Sequence, residues 1–159
     1  MGETPHFFVV IVQRQRASYF QFGPGHSACI CQGMDCYFGA YPLPEHNELG
    51  KSALVLFHIP DLGIRFKAPF DAADLDHSDL AALLTLLEFI DSNQKYFKNQ
   101  TFQVFGNNLT LINQINGREV SPERFRHLME KANEYRRKYK FAIEWIPAKD
   151  NSAFDSLLG

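Results

Sequence analysis

Hydrophobic and polar positions along the chain predict strands and helices in alternation. Short apolar runs and strict alternation mark the strands, whereas apolar residues three or four positions apart mark the helices. Strands are predicted within 28–40, at 53–57, 64–67 and 101–105, and from residue 140 to 145. The sequence Pro60-Asp61-Leu62-Gly63 favours a turn, so the second and third strands are expected to form a hairpin.

Helical spacing is clearest after that hairpin. Asp76 is expected to cap a first helix whose apolar side chains recur at Leu80, Leu83, Leu84 and Leu87. A short helix is predicted from Asn108 to Ile115. A further helix is predicted to begin with Ser121 as cap and Pro122 at its first position, and one face of it is apolar. The residues on that face are Phe125, Leu128, Met129, Ala132 and Tyr135.

The last stretch of the chain, residues 143–155, predicts a buried strand, a stop, a polar turn and the start of a helix. Pro147 cannot donate a hydrogen bond to a sheet, and residues 150–152 are all favourable helix caps. Asp155 then falls in the first helical turn, close to the end of a strand that we expect to be central. A carboxylate there either serves a site or only complements the helix dipole.

Composition limits the classes of function. The chain has 159 residues, of which 45% are hydrophobic, and its formal net charge is −2. That length suits one domain, predicted to span residues 1–159. A polyanion could bind only through a local basic patch. No apolar run is long enough for a membrane span, and the start of the chain lacks the basic region of a signal peptide, so a cytoplasmic protein is expected.

Three cysteines lie near one histidine at the start of the predicted core. They are Cys29, Cys31 and Cys36, with His26 beside them. An odd number argues against a disulfide framework. A zinc site would normally need closely paired ligands of the C-x2-C type, which are lacking, so buried thiols are the favoured interpretation.

Two segments resemble the ribonuclease H type I family. Gly106-Asn107-Asn108 followed by Asn113-Gln114-Ile115-Asn116-Gly117 resembles that family's strand-to-helix stretch, where the pattern begins Gly-Asp-Ser. Trp145 and Pro147, leading through Asn151 to Asp155, resemble its C-terminal end. The resemblance runs from about Lys51 to the end of the chain. It implies an α/β fold with a mixed five-stranded sheet, three antiparallel strands followed by parallel ones, and helices on both faces. Compared with that fold, residues 28–159 would form the core and residues 6–22 an extra N-terminal β hairpin.

The family cleaves RNA in RNA–DNA hybrids with two Mg²⁺ ions held by four acids, and the resemblance carries these acids over only in part. The last acid falls on Asp155 and the helix acid on Asp79, which together are the expected metal ligands. The third falls on the neutral Asn107. The first falls on Phe38, unless a shifted register brings in Asp35. Asp79 and Asn107 also have simpler interpretations, as a first-turn acid and a helix cap.

Three functions follow, in order of preference. The first is a binding or scaffold module, on nucleic acid, with a degraded metal site and weak Mg²⁺ affinity. The second is an active hybrid-cleaving ribonuclease using Asp35, Asp79, Asn107 and Asp155. The third is a protein-interaction domain, whose surface would be the aromatic residues of the N-terminal hairpin. Those residues are Phe7, Phe8, Tyr19, Phe20 and Phe22.

Nucleic-acid contacts are expected from one basic cluster and one polar side chain. The cluster is Arg136, Arg137 and Lys138, near the end of the helix that Ser121 opens. The polar residue is Asn108, beside the third acidic position. Acidic residues are interleaved along the same helix, so an ordinary solvated helix face is the competing interpretation. The family's last helix normally continues past Asp155, so the chain is expected to end inside it.

Overall fold

The structure is a computed structural model that describes residues 33–97 and 100–157. The predicted hairpin at 6–22, Cys29, Cys31 and His26 lie outside the described residues. The elements in chain order are β1 Met34–Pro42, β2 Ala53–Ile59, β3 Ile64–Phe70, α1 Leu75–Ser92, α2 Gln94–Phe97, β4 Phe102–Gly106, α3 Leu109–Ile115, α4 Arg126–Tyr139 and β5 Ala142–Trp145. Short 3-10 helices occur at Pro60–Leu62, Glu123–Phe125, Ala148–Asp150 and Ser152–Leu157.

The five strands form one mixed sheet in the order β3-β2-β1-β4-β5. β1 and β2 are antiparallel, as are β2 and β3, whereas β4 lies parallel to β1 and to β5. The predicted fold class is therefore confirmed, including the hairpin between the second and third strands. Gly63 closes that hairpin with φ of 62°, a left-handed conformation that costs glycine little.

Alternation along β1 divides the sheet into two faces. Phe38 pairs with Phe57, whose ring centroid lies 5.2 Å from that of Phe89 in α1, so Phe38 faces α1 and the main core. The next residue, Gly39, points to the opposite face, where a Cβ would come within 2.8 Å of the Phe154 ring. The C-terminal 3-10 helix, Ser152–Leu157, therefore packs on the face opposite α1.

α1 begins two residues earlier than predicted. Its cap is Asp74, whose side chain accepts a hydrogen bond of 2.9 Å from the His77 backbone N–H. Asp76, the predicted cap, lies inside the first turn. The expected apolar face is confirmed, because Leu80, Leu83 and the other leucines of the repeat are buried.

Two boundaries around α4 also differ from the prediction. Ser121 does not cap the helix: the chain passes through the 3-10 helix Glu123–Phe125, with Pro122 in extended conformation before it. Lys140 does not begin the last strand, because it ends α4 in a left-handed conformation with φ of 51°. The predicted apolar face of α4 does contact the core, since Met129 and Ala132 are buried there.

The final strand is at the sheet edge, which corrects the expectation of a buried, central strand. Within β5 only Ile143 is buried, and Trp145 is 46% exposed. Among the residues that the structure describes, no helix has the length and hydropathy that a membrane span requires.

Candidate functional site

The cleft

A cleft of about 810 Å³ opens where β1 and β4 end and α1 begins. Apolar side chains form most of its wall, and the remaining lining residues are polar or charged. The lining consists of Ala40, Tyr41, Pro42, Leu75, Asp79, Asn107, Ala148, Lys149, Asn151, Phe154, Asp155 and Leu157. Ligands of α/β sheets commonly bind outside the carboxyl ends of the strands, so this is the candidate site.

The structure thus brings three of the predicted site residues to one cleft. Asp79, Asn107 and Asp155 all line it, from α1, from the end of β4 and from the C-terminal 3-10 helix. Asp35 does not: it lies near the start of β1, opposite Gln103, five residues before Ala40. Five residues of strand span roughly 16 Å, so Asp35 lies away from this cleft.

The acidic and amide positions

Asp79 is a buried carboxylate with both oxygens already bonded. Its Oδ1 accepts from the Ala40 backbone N–H at 3.1 Å, and its Oδ2 accepts from the Asn108 side-chain amide at 2.9 Å. The residue is only 5% exposed. Burial raises the pKa of this carboxyl to about 6, and the two hydrogen bonds oppose the rise.

Phe38, at the position that the resemblance gives to the first acid, is 1% exposed. Its ring covers Gly106, where an added Cβ would lie 2.5 Å from the ring. The missing side chain at Gly106 therefore makes the space that this aromatic ring fills. A phenyl ring offers no ligand to a cation such as Mg²⁺, which prefers oxygen.

Asn107 is held by Asn151, which sequence analysis treated as a helix cap and as part of the C-terminal resemblance, with no bonding role predicted. The buried Asn151 donates from Nδ2 to the Asn107 Oδ1 at 2.9 Å and to the Phe38 carbonyl at 2.8 Å. Its own Oδ1 accepts from the Ala153 N–H at 3.1 Å. Asn151 therefore fixes the C-terminal segment to β1 and β4. The sequence signal was a polar residue in a turn, which carries no information about partners 44 and 113 residues away.

Asp155 is exposed on the cleft wall, in the segment that packs over β1 and β2. A hydrogen bond of 2.7 Å between His58 Nδ1 and Ser152 Oγ ties that segment to β2. Burial, and then the charge of Arg65, lower the pKa of His58 to about 4, whereas the charge of Asp155 acts in the opposite direction. His58 is therefore neutral at neutral pH. Sequence analysis did not identify its role.

The predicted nucleic-acid contacts

Asn108, not Asn107, is the cap of α3. Its Oδ1 accepts from the Leu111 N–H at 3.1 Å, while its Nδ2 donates to Asp76 Oδ1 and to Asp79 Oδ2, each at 2.9 Å. The interpretation of Asn107 as a cap is thus wrong by one residue. Asn108 lies beside the cleft, but its amide is already bonded within the protein.

The basic cluster of α4 is mostly engaged in contacts within the protein. Arg136 is half-buried and donates from Nη1 to the Ile115 carbonyl at 3.1 Å. Lys138 forms an ion pair of 2.7 Å with Asp91. Arg137 is exposed. A phosphate-binding role for this cluster stays a prediction, with Arg137 as its most accessible member.

Fit to two metal ions and similarity to solved structures

The residues of the cleft do not suit a pair of divalent ions. Two closely spaced ions need concentrated negative charge. Of the positions that the resemblance gives to the acids, one holds a phenyl ring and another an amide, and both oxygens of Asp79 accept from N–H groups. Within residues 33–97 and 100–157, no three His, Cys, Asp or Glu residues are grouped so that they could hold a metal ion. Cys36, the described member of the cysteine group, is fully buried.

Solved structures of ribonuclease H domains resemble this chain. RNase H1 from the halophilic archaeon Halobacterium salinarum is 18% identical, with a TM-score of 0.61 over 78% of this chain and 92% of that one. LC11-RNase H1, isolated from compost, in complex with an RNA/DNA hybrid, is 14% identical, with a TM-score of 0.59 over 79% and 99%. The N-terminal RNase H domain of rv2228c from Mycobacterium tuberculosis is 14% identical, with a TM-score of 0.60 over 77% and 88%.

No protein-family model matches the chain, and no curated protein matches it significantly. At identities of 12–18% the structural likeness concerns the fold alone.

Proposed function

We propose that this chain, which has the ribonuclease H-like fold, is a nucleic-acid-binding module that does not cleave its ligand by a two-metal route. The burial of Phe38 over Gly106 is the observation that carries the proposal. The ring fills the space in which the first acid of a metal site would have to lie. Under the resemblance, Asn107 removes a second acid from the same cleft.

The size of the electrostatic loss supports this proposal. A carboxylate 4 Å from a cation contributes on the order of 4 kcal/mol per unit of ion charge at an effective dielectric constant near 20. Two absent carboxylates therefore remove attraction several times larger than the free energy of a millimolar Mg²⁺ complex, which is about 4 kcal/mol. We expect weak Mg²⁺ binding at best, at Asp79 and Asp155.

Nucleic acid, in the first instance an RNA–DNA hybrid, is the proposed ligand. The similar LC11-RNase H1 binds an RNA/DNA hybrid. In this chain two exposed cations suit phosphate contacts, Lys149 on the cleft wall and Arg137 on α4. With a formal net charge of −2, we expect binding to be modest and strongly weakened by salt.

A protein partner is the second candidate, and exposed apolar residues around the cleft favour it. Tyr41 is 45% and Leu75 is 51% exposed, and both line the cleft. Trp145 is also exposed, and its Nε1 donates to the Asn107 carbonyl at 3.1 Å. Clustered apolar surface of this kind often marks a protein interface.

Fluorescence anisotropy with a labelled RNA–DNA hybrid, measured over a series of salt concentrations, separates the two candidates. We expect log K to fall linearly with log salt, and the substitutions Lys149→Gln and Arg137→Gln each to reduce the slope by about 1. Lys95→Gln is the control, because Lys95 lies on α2, outside the cleft lining and α4. Absence of binding, or affinity that ignores salt and both substitutions, would contradict the nucleic-acid proposal and favour the protein partner.

A further inference from the structure

Two carboxylates of α1 share a single amide group. Asp76 and Asp79 are three residues apart, which places them on one side of the helix. The Asn108 Nδ2 donates one N–H to Asp76 Oδ1 and the other to Asp79 Oδ2, both at 2.9 Å. An amide has two N–H donors, so both are used in this bridge.

The remaining atoms of the bridge are fixed by the backbone. The Asn108 Oδ1 accepts from the Leu111 N–H, which holds the amide at the start of α3. The Asp79 Oδ1 accepts from the Ala40 N–H, which links the same carboxylate to the end of β1. The group thereby joins α1, α3 and β1 beside the cleft.

We infer that the Asn108 amide takes the place of a cation between Asp76 and Asp79, so that this acidic pair is a metal-independent structural joint. Two carboxylates that face each other at helical spacing repel, and donors shared between them offset that repulsion. A divalent ion could reach these oxygens only by displacing the amide. Asn108 is therefore a positioning residue. The inference rests on the proposed function, because both hold that this cleft has no metal chemistry.

Two substitutions of Asn108 separate the bridge from the helix cap. Asn108→Asp keeps a capping oxygen, removes both N–H donors and adds a third carboxylate. Asn108→Ser also keeps a capping oxygen and loses the two-donor amide, but adds no charge. Asn113→Asp is the matched control, because it adds the same charge five residues further along α3.

The experiment is thermal unfolding of the full chain in EDTA and in about 10 mM Mg²⁺ at constant ionic strength. We expect Mg²⁺ to raise the Tm of the parent and of Asn113→Asp only slightly, by no more than weak binding at Asp79 and Asp155 allows. Asn108→Asp should have a lower Tm in EDTA and recover roughly 3–6 °C in Mg²⁺, if that concentration is about ten times its Kd. Asn108→Ser should lose several degrees and respond less to Mg²⁺.

Three results would overturn the inference. The first is a parent Tm that rises with Mg²⁺ as much as that of Asn108→Asp. The others are an Asn108→Asp variant that is as stable in EDTA as the parent, or an Asn108→Ser variant that is as stable as the parent. If Asn108→Asp does not fold in EDTA, the comparison of Asn108→Ser with the parent decides. Hybrid cleavage by the parent would refute the proposed function instead, and would leave these Tm differences as an independent result.

Discussion

Two buried titratable groups should make the stability of this protein depend on pH in opposite directions, so that their effects largely cancel in the parent. Burial raises the pKa of Asp79 to about 6, from an ordinary value of 3.8. Burial lowers the pKa of His58 to about 4, from an ordinary value of 6.5. At about 1.4 kcal/mol per pKa unit, each difference is worth about 3 kcal/mol of unfolding free energy.

The signs follow from which state binds the proton more tightly. The folded state holds the Asp79 proton more tightly, so this contribution to stability is full below pH 3.8 and is lost as the pH rises through 6. The unfolded state holds the His58 proton more tightly, so its contribution is full above pH 6.5 and is lost as the pH falls through 4. Between about pH 4 and 6.5 the two slopes cancel.

Single substitutions should reveal each slope. As the pH rises from about 4 to 6.5, the unfolding free energy of Asp79→Asn should increase by about 3 kcal/mol relative to that of the parent. The reason is that the substitution removes the contribution that decreases with pH. Over the same rise in pH, the unfolding free energy of His58→Gln should decrease by about 3 kcal/mol relative to that of the parent. Urea unfolding at about pH 4, 5, 6 and 7 measures both differences, with the m-value confirming a common unfolding transition.

Comparing each variant with the parent removes the titration of all other groups, provided that they are unaffected by the substitution. Asp71→Asn is the control, since that residue is exposed and outside the cleft. If the free-energy differences for Asp79→Asn and His58→Gln do not change with pH, burial does not perturb these groups. The description of Asp79 as a buried, amide-bridged carboxylate would then be wrong.

Two further substitutions test the packing around the cleft. Gly106→Ala should lower the unfolding free energy by about 1–3 kcal/mol, because its Cβ would overlap the Phe38 ring. Gly33→Ala is the control and should be tolerated, since its Cβ would have no contact under 3.4 Å. Equal effects of the two substitutions in urea unfolding would contradict this prediction. Asn151→Ala should cost about 3 kcal/mol, from three lost hydrogen bonds of about 1 kcal/mol each, against less than about 0.5 kcal/mol for Asn133→Ala. A loss under about 1 kcal/mol at Asn151 would show that it does not fix the C-terminal segment.

Sequence patterns predicted the order of strands and helices because each depends on local alternation or helical spacing. The β2–β3 hairpin and the apolar faces of α1 and α4 followed from side chains a few residues apart. Helix boundaries were less predictable where neighbouring residues could serve equally well as the cap. Asp74 and Asp76 are equally good caps by type, and so are Asn107 and Asn108, so only the folded backbone selects between them.

Three of the predicted site residues lie together in one cleft, but the sequence predicted neither the position of Asp35 nor the hydrogen bonds around the cleft. The resemblance predicted Asp79, Asn107 and Asp155 as site residues, and all three line one cleft. It could not indicate that Asn108 and Asn151 would hold them, because those contacts join residues 29 and 44 positions apart. The exposure of Trp145 was also unpredictable, since the alternating pattern of a strand is the same at the edge of a sheet as at its centre.

Cleavage of a labelled RNA–DNA hybrid by the parent protein, in Mg²⁺ and separately in Mn²⁺, is the decisive measurement. We predict no cleavage above a protein-free blank in samples that an added active ribonuclease H1 digests fully, because Phe38 and Asn107 leave the cleft without the charge that two ions require. Metal-dependent cleavage by the parent that the substitution Asp79→Asn abolishes would contradict this conclusion, since it would place a working metal site in the same cleft.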